Sequence, residues 1–368
     1  MNRKKKFEWY GVIRVTAAIL IALLIAAAII FAVADDPGTA LYRFLLGPFS
    51  TKRNFFNVIE TMIPLVFCGL AINVMHKSGL FSMVADSSFY FAGVMAATLA
   101  IACPMPNILH QIVILAVAMA VGGVIGIIPV LIKRKTGANE LVISLMMNYI
   151  FFNFGYWLIR KFFLDTSNGS FSIGFQPTAT LGKMLKGTNT HYGLLIMIAA
   201  VIIMWILMDK SKFGRELKIT GSNENFAKYA GIKIGGVVIG SQLIGGMLAG
   251  LGGGVEMIGM YKKFQWITAQ TYVWDGILIN LLAGTKPLMI PVSAFFISYI
   301  RIGALVMSRG GDVDSEIVSI IQGIMIMLIA SERFLYKMKK NKEEREALQN
   351  QTVEAAVSYT HLTLPTNS

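Results

Sequence analysis

Long apolar runs constrain this chain more than any other feature of its sequence. A helix needs roughly 20 mostly apolar residues to cross a bilayer, and ten stretches of the 368-residue chain approach that length. They are residues 15–34, 57–75, 81–102, 108–132, 141–160, 192–208, 237–258, 272–284, 288–307 and 317–335. Only 14% of the residues are charged, against about 25% in a typical soluble domain. The sequence therefore predicts an all-α, polytopic membrane protein with about ten transmembrane helices.

The basic residues predict the orientation of these spans. When the spans alternate from an inner N-terminus, 22 of the 33 Lys and Arg residues lie inside, 10 lie outside and Arg301 lies within a span. Cytoplasmic loops carry the excess of Lys and Arg, so we expect a multi-pass protein with both termini in the cytoplasm. The net charge of +13 then reflects topology and contact with membrane lipid, and we expect no nucleic-acid partner.

Sequence signals of catalysis and of metal binding are absent from the chain. The two cysteines, Cys68 and Cys103, stand far apart, and the histidines occur singly, without the spacing of metal ligands. There is no GxxxxGK[ST] phosphate loop, so the chain cannot hydrolyse ATP by that route. We therefore expect a protein that is not an enzyme and has no cofactor and no metal site.

Two segments of similar sequence predict an internal repeat. "FAGVMAATLA" (91–100) and "WDGILINLLA" (274–283) lie 183 residues apart and would enter the membrane from opposite faces, as in the inverted repeats of transporters. Each follows a polar, aromatic stretch, which in a membrane can line a pathway or simply mark the interface with aromatic residues. The candidate substrate-pathway residues are Asp86, Ser87, Ser88, Tyr90, Gln270, Tyr272, Trp274, Asp275 and Asn280.

The other intramembrane features favour packing. Gly246, Gly250 and Gly254 recur every four residues, a spacing that lets two helix backbones approach closely. Asn148 and Asn153 could form interhelical hydrogen bonds or line a pathway, and packing is the favoured interpretation. Glu256 and Arg301 could form a charged packing pair, contact headgroups or have a functional role.

The loop at residues 209–236 is polar and helix-like. Ser222 or Asn223 is suited to cap a two-turn helix over "ENFAKYA", and Gly231 is suited to end it. Phe226, Ala227 and Ala230 would form a small apolar stripe on this helix. So short a helix is unstable alone, which predicts that it docks on a cytoplasmic partner.

Three motifs carry a resemblance to a known family. "GANELVISLMMNYI" (137–150), "GSNENFAKYAGI" (221–232) and "GGMLAGLGGGVEMIG" (245–259) resemble the permease subunits of ATP-binding cassette (ABC) importers in the branched-chain amino acid, ribose and nucleoside superfamily. The likeness runs from about residue 40 to 338. It is greatest to the permeases of nucleoside or simple-sugar importers that work with a basic-membrane-type lipoprotein.

The resemblance implies a bacterial plasma-membrane permease that works by alternating access. Its implied partners are a separate ABC ATPase, a second permease subunit in a heterodimer, and a substrate-binding lipoprotein. It also implies that residues 221–232 form the coupling helix that contacts the ATPase, through Gly221, Asn223, Phe226, Ala227, Tyr229, Ala230 and Gly231.

One segment departs from the family pattern. After "SGLF", nucleoside-type relatives usually carry Asn-Ile-Gly-x-Glu-Gly-Gln, whereas "SMVADSS" (82–88) stands here, with Asp86 at the Glu position. This departure affects which substrate the resemblance implies. The alternative function is an ion-coupled secondary transporter of a small polar solute, which would use Asp86, Glu256 or Asp275.

The sequence divides into four regions. Residues 1–14 are the expected cytoplasmic N-terminus, 15–335 the transmembrane permease domain, and 336–356 a charged cytoplasmic tail. Residues 357–366, "VSYTHLTLPT", match a reading frame of a transposase sequencing adapter. We therefore expect residues 357–368 to be an assembly artefact.

Overall fold

The structure is a computed structural model that describes residues 36–166, 171–185 and 187–310, with isolated positions 24, 27, 28, 30, 31 and 323. Residues 34–318 form a compact unit that holds every element described below. The predicted span 15–34 lies almost entirely outside the described residues, and so does the predicted span 317–335. The predicted N-terminal region, the charged tail 336–356 and residues 357–368 lie wholly outside them.

The described ranges contain eleven α-helices. They are α1 (Pro37–Ser50), α2 (Lys52–His76), α3 (Ala85–Ala102), α4 (Asn107–Thr136), α5 (Glu140–Phe162), α6 (Gly193–Trp205), α7 (Lys212–Ser222), α8 (Glu224–Tyr229), α9 (Ile234–Met260), α10 (Tyr272–Leu282) and α11 (Ile290–Arg309). A π-helical turn, Ile206–Lys210, continues α6, and a 3₁₀ turn, Pro287–Met289, leads into α11. Within the same ranges β structure is limited to two isolated bridges, Leu164 with Ser172 and Lys183 with His191.

Seven helices of the described chain are long and apolar enough to cross a membrane. They are α2, α3, α4, α5, α6 with its π-helical turn, α9, and α11 with its 3₁₀ turn. These seven match seven of the ten predicted spans, so the all-helical membrane fold is confirmed at this level. The predicted span 272–284 is an 11-residue helix, and its length of roughly 16 Å is too short to cross the hydrocarbon core.

Local sequence signals set several helix ends. Asp36 caps α1 by accepting a hydrogen bond from the Thr39 backbone N–H at 3.2 Å, and Pro37 follows as the first helical residue. This helix was not among the predicted elements. Asn139 caps α5 by accepting from the Leu141 N–H at 2.9 Å, and Gly137, with φ +71°, ends α4 in the left-handed conformation that glycine adopts at low cost.

Helix α9 packs tightly on α4 through glycine. A Cβ added to Gly122 of α4 would lie 2.7 Å from the Gly250 Cα, and one added to Gly246 of α9 would lie 3.0 Å from the Gly126 Cα. Neither position has room for a side chain. The predicted close packing of the α9 glycine stripe is therefore confirmed for Gly246 and Gly250.

Candidate functional site

A cavity of about 370 Å³ opens between α3, α5 and α10. Helix α3 contributes Asp86, Ser87 and Tyr90 to its lining. The other lining residues are Leu145, Asn148, Tyr149, Phe152 and Asn153 of α5, Ala269 of the preceding loop and Trp274 of α10. The volume lies in the range of small-molecule sites, and the mixture of aromatic surface and a few polar groups is typical of them.

Among the described lining residues, Asp86 is the one with a charged side chain. It lies in the first turn of α3 and is half-buried. No hydrogen bond or ion pair joins its carboxyl group to any side chain of the described residues. Because a helix N-terminus favours negative charge, its position in the first turn suits a carboxylate that faces the cavity.

Asn148 of α5 holds the turn that carries Asp86. Its Oδ1 accepts hydrogen bonds from the Ser87 backbone N–H at 3.2 Å and from the Ser87 hydroxyl, and its Nδ2 donates to the Met83 carbonyl at 3.3 Å. Ser144, one turn earlier, accepts from the Met83 N–H at 3.1 Å. Helix α5 therefore fixes the start of α3. The favoured interpretation of Asn148 as an interhelical partner is confirmed, and Asn148 also lines the cavity, as the alternative interpretation held. Asn153 lines the cavity too, but its amide donates to the Tyr149 carbonyl of its own helix at 2.7 Å.

Aromatic rings from three helices complete the wall. The Tyr90 and Phe152 ring centroids lie 4.8 Å apart, and the Tyr90 hydroxyl donates to the Trp266 carbonyl at 3.4 Å. Trp274 is 49% exposed and stacks on no other aromatic ring of the described residues. About half of its indole surface therefore makes no contact within the described chain.

The remaining predicted pathway residues lie away from this cavity. Ser88 is buried and donates to the Gly122 carbonyl at 3.0 Å. Gln270 donates weakly to the Thr268 carbonyl at 3.4 Å in the loop before α10. Of the predicted candidates, Asp86, Ser87, Tyr90 and Trp274 converge on the cavity.

Three polar residues of α10 are engaged by neighbouring helices instead. Asn280 accepts from Asn73 Nδ2 of α2 at 2.7 Å, and Asp275 forms an ion pair with Arg301 of α11. The Tyr272 hydroxyl donates to Glu256 Oε1 of α9 at 3.1 Å. These bonds hold the short helix α10 among its neighbours.

The short helix predicted within the loop at residues 209–236 lies where the sequence predicted it. Asn223 caps α8 by accepting from the Phe226 N–H at 3.0 Å, and Gly231 follows the helix with φ +74°. The polar lead before it is itself helical, as α7. Ala227 is fully buried within the chain, whereas Phe226 is 60% and Tyr229 92% exposed. Ala230 is also exposed, so the outward surface of α8 is formed by these aromatic residues and Ala230.

This loop packs on the turn between α2 and α3. Gly79 adopts φ +82°, and a Cβ added there would lie 3.3 Å from the Gly221 Cα. Burial lowers the pKa of Lys77 to about 8, and the nearby Lys218 acts in the same direction. The end of α7 therefore covers the turn from which the chain continues into the segment that carries Asp86.

Within the described ranges no group of three or more His, Cys, Asp or Glu side chains is placed to hold a metal ion. The acidic residues of the membrane region are instead dispersed among different helices, as the pairs and contacts above show.

Three proteins of related sequence cover most of the chain. It is 29% identical to the guanosine ABC transporter permease protein NupP of Bacillus subtilis over 77% of this chain and 83% of that one. It is 28% identical to the nucleoside ABC transporter permease protein NupB of Lactococcus lactis over 85% and 89% of the two chains. The glucose ABC transporter permease protein TsgB13 of Haloferax volcanii is 25% identical over 87% of each.

A family model covers the same region. The model described as "Branched-chain amino acid transport system / permease component" matches residues 54–330, a range that includes every described helix from α3 to α11 and most of α2. The chain therefore belongs to the permease-component family of branched-chain amino acid transport systems.

Proposed function

We propose that this chain is the membrane permease of an ABC importer that moves a nucleoside or a simple sugar into the cell. The cavity at Asp86 carries the proposal, because it places a carboxylate and aromatic surface inside a bundle of membrane-spanning helices. Two of the relatives described above are named as nucleoside permeases and one as a glucose permease. Aromatic faces and hydrogen-bonding groups suit either class of solute.

Membership of the family distinguishes the role of the permease from the roles of its partner subunits. The permease is not an enzyme, and it works in a membrane with a partner ATPase and a binding protein. We further propose that it pairs with a second, different permease, that its binding protein is a lipoprotein, and that both termini are cytoplasmic in a bacterial plasma membrane. The inverted repeat belongs to the same proposal, and so does a tenth crossing in which the non-helical residues before α10 complete the span that the helix alone is too short to make.

Alternating access would then move the solute. ATP binding must stabilise one permease conformation over the other, because a ligand without differential affinity cannot shift an equilibrium. The outward surface of α8 is the proposed contact with the ATPase. The packing of Gly221 on the α2–α3 turn gives motion of that surface a direct mechanical connection to the start of α3.

ATP-driven uptake tests the function directly. The permease, its second permease, the ATPase and the lipoprotein are reconstituted in proteoliposomes with ATP inside, and labelled nucleosides and sugars are supplied outside. We expect ATP-dependent accumulation of one of these two classes. Accumulation of neither class by an assembly that hydrolyses ATP would refute the proposed function.

A charge on α8 tests the coupling surface. Ala230→Glu places a carboxylate on the exposed face of α8, and we expect it to abolish uptake while the permease still reaches the membrane. Ala227, on the same helix, is a poorer probe because its side chain is buried.

Ala138→Glu is the matched control, since Ala138 is exposed in the loop between α4 and α5, on the same predicted side of the membrane. Normal uptake by Ala230→Glu, or equal loss in both variants, would remove α8 from the coupling role.

A further inference from the structure

The carboxyl group of Asp86 lacks a side-chain partner among the described residues. It lines the cavity without an ion pair or a hydrogen bond to the described residues. Among the described residues the cavity lining also contains no Lys, Arg or His, and Arg301 is already paired with Asp275. A carboxylate removed from water is costly unless hydrogen-bond partners offset its desolvation, so the missing partner is expected to arrive with the solute.

We infer that Asp86 determines specificity by accepting hydrogen bonds from adjacent N–H or O–H donors of an uncharged solute. The inference rests on the proposed function and deepens it, because it names the chemistry by which the site recognises its substrate. A carboxylate has two oxygens and only accepts when ionised. Two neighbouring donors of the solute can therefore each bond to one oxygen, whereas a single donor leaves one oxygen without a partner.

The same carboxylate excludes anionic solutes. A phosphate or a carboxylate brought into the cavity would meet the charge of Asp86, and none of the described lining residues is a cation that could offset it. Like charges at close range in a low-dielectric site repel strongly. The cavity therefore selects uncharged nucleosides or sugars against nucleotides and acidic metabolites.

The aromatic lining orients the solute. Tyr90 and Phe152 present rings from α3 and α5, and the half-exposed Trp274 presents its indole from α10. A ring that packs on these surfaces can direct its polar edge towards Asp86. Asn148 serves as a positioning residue, since its hydrogen bonds hold the turn that carries Asp86.

Two parts of a solute could supply the paired donors. A nucleobase such as guanine has adjacent N–H groups, and a ribose or a hexose has adjacent hydroxyls. Binding is therefore measured by calorimetry on the purified assembly of permease, second permease and ATPase in nanodiscs, without the lipoprotein. The probes are guanosine, 2′,3′-dideoxyguanosine, glucose and guanosine monophosphate.

We expect the native assembly to bind guanosine or glucose and to bind guanosine monophosphate at least tenfold more weakly than guanosine. Dideoxyguanosine keeps the donors of the base and lacks the two ribose hydroxyls. If it binds as guanosine does, the donors belong to the base; if it does not bind, they belong to the sugar. Asp86→Asn is expected to weaken binding of the preferred solute about 10- to 100-fold. It should also reduce the difference in affinity between guanosine and guanosine monophosphate.

Asp36→Asn is the matched control, because Asp36 is an exposed helix cap whose role asparagine can fill. Its affinity should equal that of the native assembly. The inference is overturned if Asp86→Asn binds as the native assembly does, or if the phosphate binds as tightly as the nucleoside. The comparison of the phosphate with the nucleoside uses only the native assembly, so the inference stays testable if Asp86→Asn fails to fold.

Failure of the inference and failure of the proposed function are distinguishable. If the native assembly binds none of the probes while the complete importer still accumulates nucleosides or sugars, the inference is wrong and the proposed function stands. If the complete importer accumulates neither class, the proposed function itself fails.

Discussion

The segments that begin α3 and α10 look alike in sequence and differ in structure. Each places an aspartate and aromatic residues before an apolar run. Asp86 of α3 faces a cavity and has no ion-pair partner in the described part of the chain, whereas Asp275 of α10 is buried in an ion pair with Arg301. An intramembrane acid therefore acquires its role from the helices that surround it.

The lengths of the two helices differ for a related reason. Helix α3 has 18 residues and α10 has 11, so α10 by itself is too short to cross the bilayer and depends on its neighbours for stability. Its hydrogen bonds to α2 and α9 and its ion pair with α11 provide that support. We conclude that polarity in α10 serves mainly structure, while polarity at the start of α3 is available for the solute.

Among the variants that test this contrast, Arg301→Ala is expected to have the largest effect on stability. Removal of the guanidinium leaves Asp275 buried and unpaired, which should cost roughly 3–5 kcal/mol of stability. Thermal unfolding of the detergent-solubilised permease measures the loss. The double variant Arg301→Ala/Asp275→Ala should recover much of it. An unchanged unfolding temperature for the single variant would show that the pair is not structural.

The Asn73–Asn280 hydrogen bond offers a smaller effect of the same kind. Asn280→Leu leaves the buried Nδ2 of Asn73 without its acceptor, at a cost of roughly 1–3 kcal/mol. The same unfolding assay measures it, and the double variant Asn73→Leu/Asn280→Leu should be closer to the native protein. If the single and double variants are equally stable, the bond does not anchor α10.

Trp274 is the exception within α10, and its variant should have the smallest effect on stability. Its indole lines the cavity and is half-exposed, so Trp274→Ala should raise the KM for uptake about fivefold, as expected for roughly 1 kcal/mol of lost ring contact. Tyr272→Phe is the control, because it removes a hydroxyl bonded to Glu256 and keeps the ring. An unchanged KM for Trp274→Ala, or an equal rise in both, would erase the distinction between these residues.

Much of the architecture could be predicted from sequence because hydrophobic length is a local property. The seven described spans and the α8 helix with its Asn223 cap follow from runs and caps that lie within single segments. The length of α10 was overestimated because an apolar run extends past its end, into Ala283 and Gly284.

The candidate site was only partly predictable, since it depends on contacts between distant segments. Asp86, Tyr90 and Trp274 could be found from their polarity and aromatic character. Asn148 was assigned to packing because nothing in its own helix reveals that it bonds to Ser87, 61 residues earlier. The pairing of Asp275 with Arg301 was likewise invisible to a pattern search along the chain.

The central claim is that Asp86 serves the solute and Asp275 serves the fold. Calorimetric affinity for the preferred solute and the unfolding temperature, measured together on the permease–ATPase assembly, test it with Asp86→Asn and Asp275→Asn. We predict that Asp86→Asn weakens binding about tenfold or more without lowering the unfolding temperature. Asp275→Asn should lower that temperature and leave affinity unchanged. Native affinity in Asp86→Asn, or loss of binding confined to Asp275→Asn, would contradict the account.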